Sequence, residues 1–248
     1  MQLAQYLCAR MVAQYPNEII VGGVYGSTAR GTDTYWSDLE MIFVVRGGSK
    51  IEGKHFIYRD IAVGYRAIER GKLERLLSNP SIENEGLRWP FWMGVLSVLK
   101  VLYGDPAQVR AWLQLGESVP PKRFREVLEA SLPDLVVESY GRILSCRERG
   151  NTQDIYCAVI EVLFEMNQAL CLLNRRWVTR DYYQGLVDAF SFPKLPKGYR
   201  ELVTTLWGAR EIDEIVPLAE KLVQSYWKLL ADEGIKVQNY QHVDDLPL

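Results

Sequence analysis

Asp38 and Glu40 stand one residue apart at the head of an apolar run, Leu39-Glu-Met-Ile-Phe-Val-Val45. If that run is a strand, its period of two turns both carboxylates to one face while Leu39 enters the core. Two like charges held that close are costly unless a cation lies between them. A hard cation such as Mg²⁺, bound through one or two carboxylates and completed by substrate phosphates, meets that requirement. Upstream, a second β-branched run, Glu18 to Tyr25, ends at Gly26-Ser27. A strand running into Gly-Ser at a helix N-terminus offers an anion backbone N–H groups, a hydroxyl and the positive end of the helix dipole. Each half also has a bland reading. A carboxylate-x-carboxylate pair arises by chance roughly a few times in a chain of this length, and Gly-Ser before a polar turn is an ordinary loop. The information lies in the order: strand, Gly-Ser, short spacer, then the acidic pair heading a second strand.

Those residues need elements to hold them. The spacing predicts a helix over about 2–14, strands over 18–25 and 39–45, a third strand near 56–65, and a helix through 68–77. The apolar run at 89–103 suits either a buried helix or a helix followed by a strand. After Val119-Pro-Pro-Lys122 the pattern turns to 3.6-residue periodicity over about 122–148, 153–175, 181–190, 198–208 and 212–233, which reads as a helical bundle. Gly150-Asn-Thr and Ser191 to Gly198 form its loops, Pro133 should kink its first helix, and 237–248 reads as an extended arm. The fold expected is α+β, with a mixed-sheet domain over 1–120 followed by a helical domain over 121–248.

Composition narrows the partners. With 248 residues, 48% hydrophobic and 24% charged, the chain is an ordinary folded protein and neither disordered nor fibrous. Its 29 basic and 31 acidic residues give a net charge of −2, which disfavours a nucleic-acid partner. No uncharged stretch approaches the roughly 20 residues of a membrane span. Met1 to Tyr15 lacks the basic region and cleavage site of a secretory signal, so a cytoplasmic location is expected. Cys8, Cys146, Cys157 and Cys171 occur singly, and the only histidines, His55 and His242, read as structural or surface residues, leaving little for a zinc site.

The segment Val24-Tyr-Gly-Ser-Thr-Ala-Arg-Gly-Thr-Asp-Thr-Tyr-Trp-Ser-Asp-Leu-Glu40 resembles the signature of the nucleotidyltransferase superfamily that shares the catalytic fold of DNA polymerase β. Within it, the chain looks most like the kanamycin nucleotidyltransferase, or aminoglycoside 4'-O-nucleotidyltransferase, family. The likeness extends to Glu138-Ser-Tyr-Gly-Arg142, to Leu173-Asn-Arg-Arg-Trp-Val-Thr-Arg-Asp-Tyr-Tyr183 and to Gly234-Ile-Lys-Val237, so it covers nearly the whole chain.

The resemblance implies an enzyme that transfers AMP from ATP to a hydroxyl of an aminoglycoside, at the 4' position. It implies that Gly26, Ser27 and Arg30 bind the ATP phosphates, that Asp38 and Glu40 hold Mg²⁺, and that Glu138 is the general base. Arg142 would lie near the phosphates or the substrate, and Thr179 and Arg180 would approach the nucleotide from the helical domain. Glu138 and Arg142 read equally as an i, i+4 ion pair on a solvated helix face. The family's third carboxylate aligns with Ala62; either Asp60, about 7 Å earlier on the same strand face, substitutes as the metal ligand, or the alignment is off by two, or the site works with two carboxylates. Glu52, Glu83 and Glu85, with Tyr58 and Trp89, would form an acidic, aromatic cleft for a polycation. A homodimer is implied in which base and metal site come from different chains. A sibling acting on another small molecule, RNA or protein, and a non-catalytic nucleotide-binding module, stay open.

Overall fold

The computed structural model describes residues 1–80, 85–237 and 239–246, and their side chains except those of 85–88, 133 and 134. The fold is α+β. The chain divides into two compact units, Met1–Arg123 with Trp177–Asp181, and Phe124–Arg176 with Tyr182–Leu248. The short run 177–181, which the sequence reading left inside the helical half, thus belongs to the first unit.

The first unit is built on a five-stranded sheet of order β3-β4-β2-β1-β5. Helix α1 (Gln2–Gln14) places Ala4 and Cys8, one turn apart, in the core. Strand β1 (Ile19–Val24) runs antiparallel to β2 (Leu39–Val45), and every residue of β2 except Glu40 is buried. Burial on both faces is why β2 reads as one continuous apolar run. Between them lies the short helix α2 (Gly26–Arg30).

The single strand expected near 56–65 is instead a hairpin of β3 (Lys54–Tyr58) and β4 (Ile61–Glu69). Its turn is Arg59-Asp60, with φ of 48° and 65°. Two successive left-handed residues form the turn whose twist matches paired antiparallel strands, and aspartate tolerates that conformation. Apolar periodicity did not reveal it because β3 is exposed along its whole length. Strand β4 then runs parallel to β2, with Leu39 opposite Val63 and Glu40 opposite Gly64.

Helices α3 (Arg70–Ser78) and α4 (Glu85–Val98) follow, then β5 (Lys100–Tyr103), so the ambiguous run at 89–103 is a helix and then a strand. Helix α5 (Pro106–Glu117) starts at an aspartate cap, with Asp105 accepting from the Ala107 N–H at 2.8 Å. Trp89, Met93 and Trp112 are buried among these helices. Trp89 therefore lines no open cleft, contrary to the expectation for an aromatic substrate wall. Trp177 instead packs edge-on against it at 5.9 Å, and the Val178 carbonyl lies so close to Gly94 that a Cβ there would meet it at 2.5 Å.

The second unit consists of helices. The helix expected over 122–148 is two, α6 (Pro121–Ser131) and α7 (Glu138–Arg149), because the chain leaves helical geometry between them: Leu135 is extended and Val136 has a φ of 71°. A β-branched residue in that region is held only where its surroundings compensate. The compensation comes from α8 (Ile155–Asn174), whose Glu165 carboxylate accepts from the Val136 N–H at 2.9 Å and the buried Ser139 hydroxyl at 2.5 Å. Glu165→Ala is expected to cost about 1–3 kcal/mol, since it orphans both donors. The measurement is denaturant unfolding, and an unmoved midpoint would show that the break holds itself.

Helix α8 is long and apolar enough to cross a membrane by length and composition, but it carries Glu161 and Glu165, and Val159, Val162, Leu163, Met166 and Leu170 are buried within the unit. Helices α9 (Tyr182–Ala189), α10 (Tyr199–Gly208) and α11 (Ile212–Asp232) complete it. The described part of the tail is exposed and includes one short turn at Val243–Asp245.

Candidate active site

In the first unit, β1 delivers Tyr25 and then Gly26 to the edge of the carboxylate pair. The Tyr25 N–H donates to the Glu40 carbonyl at 3.0 Å, which extends the β1–β2 ladder to the start of α2. Gly26 has a φ of 66°, and a Cβ on it would meet Glu40 Oε2 at 2.3 Å. Glycine is required here twice, for its backbone angle and for the space its missing side chain leaves to the carboxylate. Gly26→Ala is expected to cost about 1–2 kcal/mol in backbone strain and to push the Glu40 carboxylate aside. A melting temperature equal to wild type would count against that geometry. Helix α2 has only five residues, so the dipole expected behind Ser27 is that of little more than one turn.

Asp38 and Glu40 share one face at the mouth of β2, Asp38 exposed and Glu40 half-buried. Burial first, and then the charges of Asp38 and Asp181, hold the Glu40 carboxyl above its ordinary pKa, while the Tyr25 hydroxyl and Arg66 pull it down. The Tyr25 hydroxyl is itself pushed up to about 12, by burial and then by Glu40, so it stays protonated beside that carboxylate. The two carboxylates line a cavity of about 300 Å³ together with Tyr25, His55, Ala62, Gly64 and Arg66, and with Phe56, Ile57 and Val63.

The structure gathers part of the expected set and disperses the rest. Gly26, Ser27 and Arg30 lie on α2, and the Arg30 Nη1 donates to the Thr179 carbonyl at 2.5 Å, while its Nε is buried without a partner. That bond ties the run 177–181 to α2, so Thr179 and Arg180 join the first unit and Asp181 adds its charge to Glu40. Asp60 is not where the sequence reading put it. It occupies the hairpin turn rather than a strand face, is exposed, and does not line the cavity. On the strand face itself β4 offers Ala62, Gly64 and Arg66, and no cluster of three or more potential metal ligands exists among the described residues. Glu52 is exposed ahead of β3 and also lies outside the cavity lining, and the exposed Tyr58 ring is covered by the Arg59 guanidinium. Glu83 lies outside the described residues, and so does the side chain of Glu85, whose backbone begins α4.

Glu138 and Arg142 belong to the second unit, at the start of α7 and one turn on. Arg142 donates to Glu138 at 2.5 Å and also to Glu161 of α8. Glu138 remains exposed over 61% of its side chain. The surface ion pair and an accessible carboxylate are therefore both present, the guanidinium being shared with a second acid. Arg142 and Glu161 also border a separate cavity of about 440 Å³ between α7 and α8, with Arg149, Asp154 and Cys157.

Three residues that line the first-unit cavity, Tyr25, His55 and Arg66, carry no signal as site residues in the sequence, and neither does Asp181, whose charge reaches Glu40. The alternation Ala62-x-Gly64-x-Arg66 would have pointed to Arg66 once β4 was separated from β3. His55 reaches the cavity because Gly64 lacks a side chain; a Cβ there would meet His55 Nδ1 at 2.7 Å. For Asp181, far along the chain, no local signal exists.

No protein-family model matches the chain. It is 23% identical over 225 residues to aminoglycoside nucleotidyltransferase (4') of a Bacillus species, spanning 91% of this chain and 85% of that protein. The same identity and coverage hold for aminoglycoside nucleotidyltransferase (4') of Staphylococcus aureus. Among solved structures, a nucleotidyltransferase-like protein from Exiguobacterium sibiricum matches with a TM-score of 0.51 at 16% identity, over 94% of this chain and 77% of that one. The likeness to that structure is one of fold.

Proposed function

We propose that this protein is a nucleotidyltransferase that moves AMP from ATP to a hydroxyl of an aminoglycoside, the 4' hydroxyl being the expected acceptor, and so inactivates the antibiotic. The observation that carries the reading is the approach of Gly26, at the head of α2, to the Glu40 carboxylate, so close that only glycine fits there, while Asp38 and Glu40 line one cavity. The distant relatives support nucleotidyl transfer, and their names supply the aminoglycoside.

The donor set suits one hard divalent cation. Glu40 is a carboxylate whose ionisation burial and two neighbouring acids oppose, and the glycine cradle keeps its oxygen open. Asp38 and Glu40 would hold Mg²⁺, with nucleotide phosphate oxygens and water completing its shell. Bound there, the ion neutralises phosphate charge and orients the nucleotide. Ser27 and the backbone of α2 take the phosphates of ATP, and Arg30, anchored on Thr179, holds the run 177–181 against them. The acceptor hydroxyl loses its proton to Glu138, its oxygen forms a bond to the α-phosphorus, and the α–β phosphoanhydride bond breaks to release pyrophosphate.

The direct experiment is incubation with ATP, Mg²⁺ and a panel of aminoglycosides, read by mass for one added AMP. Absence of adduct on every member, with folded protein, overturns the acceptor assignment. The working form we take to be a homodimer in which Glu138 of one copy serves Asp38 and Glu40 of the other. Mixing Asp38→Asn with Glu138→Gln protein under subunit exchange should then restore up to about a quarter of wild-type sites, because half of random pairs are mixed and each has one intact site. No recovery in a mixture shown to contain heterodimers refutes shared sites.

A further inference from the structure

Among the described residues, Arg66 is the one guanidinium lining the Asp38–Glu40 cavity. In the parallel register of β2 and β4 it stands opposite Ile42, two positions beyond Gly64, which faces Glu40. The period of two therefore gives Ala62, Gly64 and Arg66 the same face of β4, and all three line the cavity. Where a third carboxylate would sit, the strand offers two small residues and then a fixed positive charge.

The side chain is held at one end and open at the other. Its Nε donates to the Tyr25 hydroxyl at 3.3 Å, and its guanidinium lies over the Phe91 ring, 5.4 Å from the centroid. The Tyr25 hydroxyl and the Glu40 carboxylate shift each other's pKa, so one group stands between the guanidinium and that carboxylate. Among the described residues, its two terminal nitrogens make no hydrogen bond or ion pair. Arg66 is exposed, and a planar fork stacked on one face, anchored through Nε and presenting free N–H groups at the cavity wall is the geometry that takes two oxygens of a phosphate.

Charge balance gives the fork a role. Nucleotidyl transfer at two bridged metal ions neutralises both the attacking and the leaving oxygens, and the second ion needs carboxylates to hold it. Here the described residues supply two carboxylates within the cavity and no cluster of three. Resting on the nucleotidyltransferase reading above, we propose that Arg66 is a catalytic residue that binds the phosphoryl oxygens of the transferred group and supplies the second positive charge, so that the site works with one divalent cation. The bonds made and broken are unchanged; the guanidinium neutralises charge building on the phosphoryl oxygens.

The test counts ions and removes the fork. Wild-type protein titrated with Mn²⁺ in the presence of a non-hydrolysable ATP analogue, and read by electron paramagnetic resonance, should bind one Mn²⁺ per chain. Two per chain overturns the proposal and leaves the nucleotidyltransferase reading intact, whereas no nucleotide-dependent binding sinks both. Arg66→Ala should keep the one-ion stoichiometry, lose about 10²–10³-fold in kcat with a much smaller change in KM for ATP, and regain part of that loss with added guanidinium ion. Arg66→Lys, which keeps the charge without the fork, should fall between. Loss in Arg66→Ala that added guanidinium cannot restore, with Arg66→Lys equally inactive, would reduce Arg66 to a packing role and overturn the proposal.

Discussion

Asp38→Asn abolishes nucleotidyl transfer, by about 10³-fold or more, and leaves the fold standing. Loss of one of only two carboxylates removes half of the charge that holds the cation, and a barrier increase of about 4 kcal/mol is already a thousandfold. The sheet does not depend on the side chain, since Asp38 is exposed and the buried residues of β2 begin at Leu39. Without ligand, stability should be unchanged or raised, and pH gives the sign. Glu40 has a folded pKa above its ordinary value, from burial and then from Asp38 and Asp181. Such a group costs stability as pH rises from its unfolded value through its folded one, and the cost persists above both. Removing the Asp38 charge relieves part of that cost, so any gain in melting temperature appears above the usual carboxylate range and disappears in acid, where Glu40 is protonated in both states. Near-normal turnover by Asp38→Asn would defeat the assignment of the pair.

Glu138→Gln should lower kcat by about 10²–10⁴-fold with little change in KM for ATP, the amount a positioned general base contributes. The substitution keeps the shape and removes the proton acceptor. It also releases Arg142 from one of its two partners, leaving Glu161. The double variant Glu138→Gln/Glu161→Gln separates the two effects. If Glu138 acts as base, freeing Arg142 adds no further loss of comparable size. If nucleotide binding collapses in the single variant instead, Glu138 is a positioning residue and the base lies elsewhere.

The sequence alone determined the residues that meet in one short stretch. Gly26, Ser27, Asp38 and Glu40 are legible because the strand period fixes which way Asp38 and Glu40 point and because glycine before a helix is a local requirement. The helical half was legible for the same reason: amphipathic helices of ten to twenty residues write their own period. What failed were decisions taken at long range. An exposed edge strand buries nothing and carries no apolar signal, so β3 merged with β4, and that slip placed Asp60 on a face it does not occupy. The break at Leu135–Val136 is sustained by a carboxylate of another helix, Glu165, about 30 residues away in the chain, so proline alone suggested only a kink. Trp89 and Tyr58 read alike as aromatic residues, and only packing separates the buried one from the exposed one. The run 177–181 lies in sequence within the helical half, between two helices, yet it joins the sheet-based unit through the Arg30–Thr179 bond and the close approach of Val178 to Gly94. Beyond burial and the neighbouring Asp38, the charge environment of Glu40 is set by Asp181, Tyr25 and Arg66, up to 141 positions away in sequence, which only sheet register and the returning segment bring to one carboxylate.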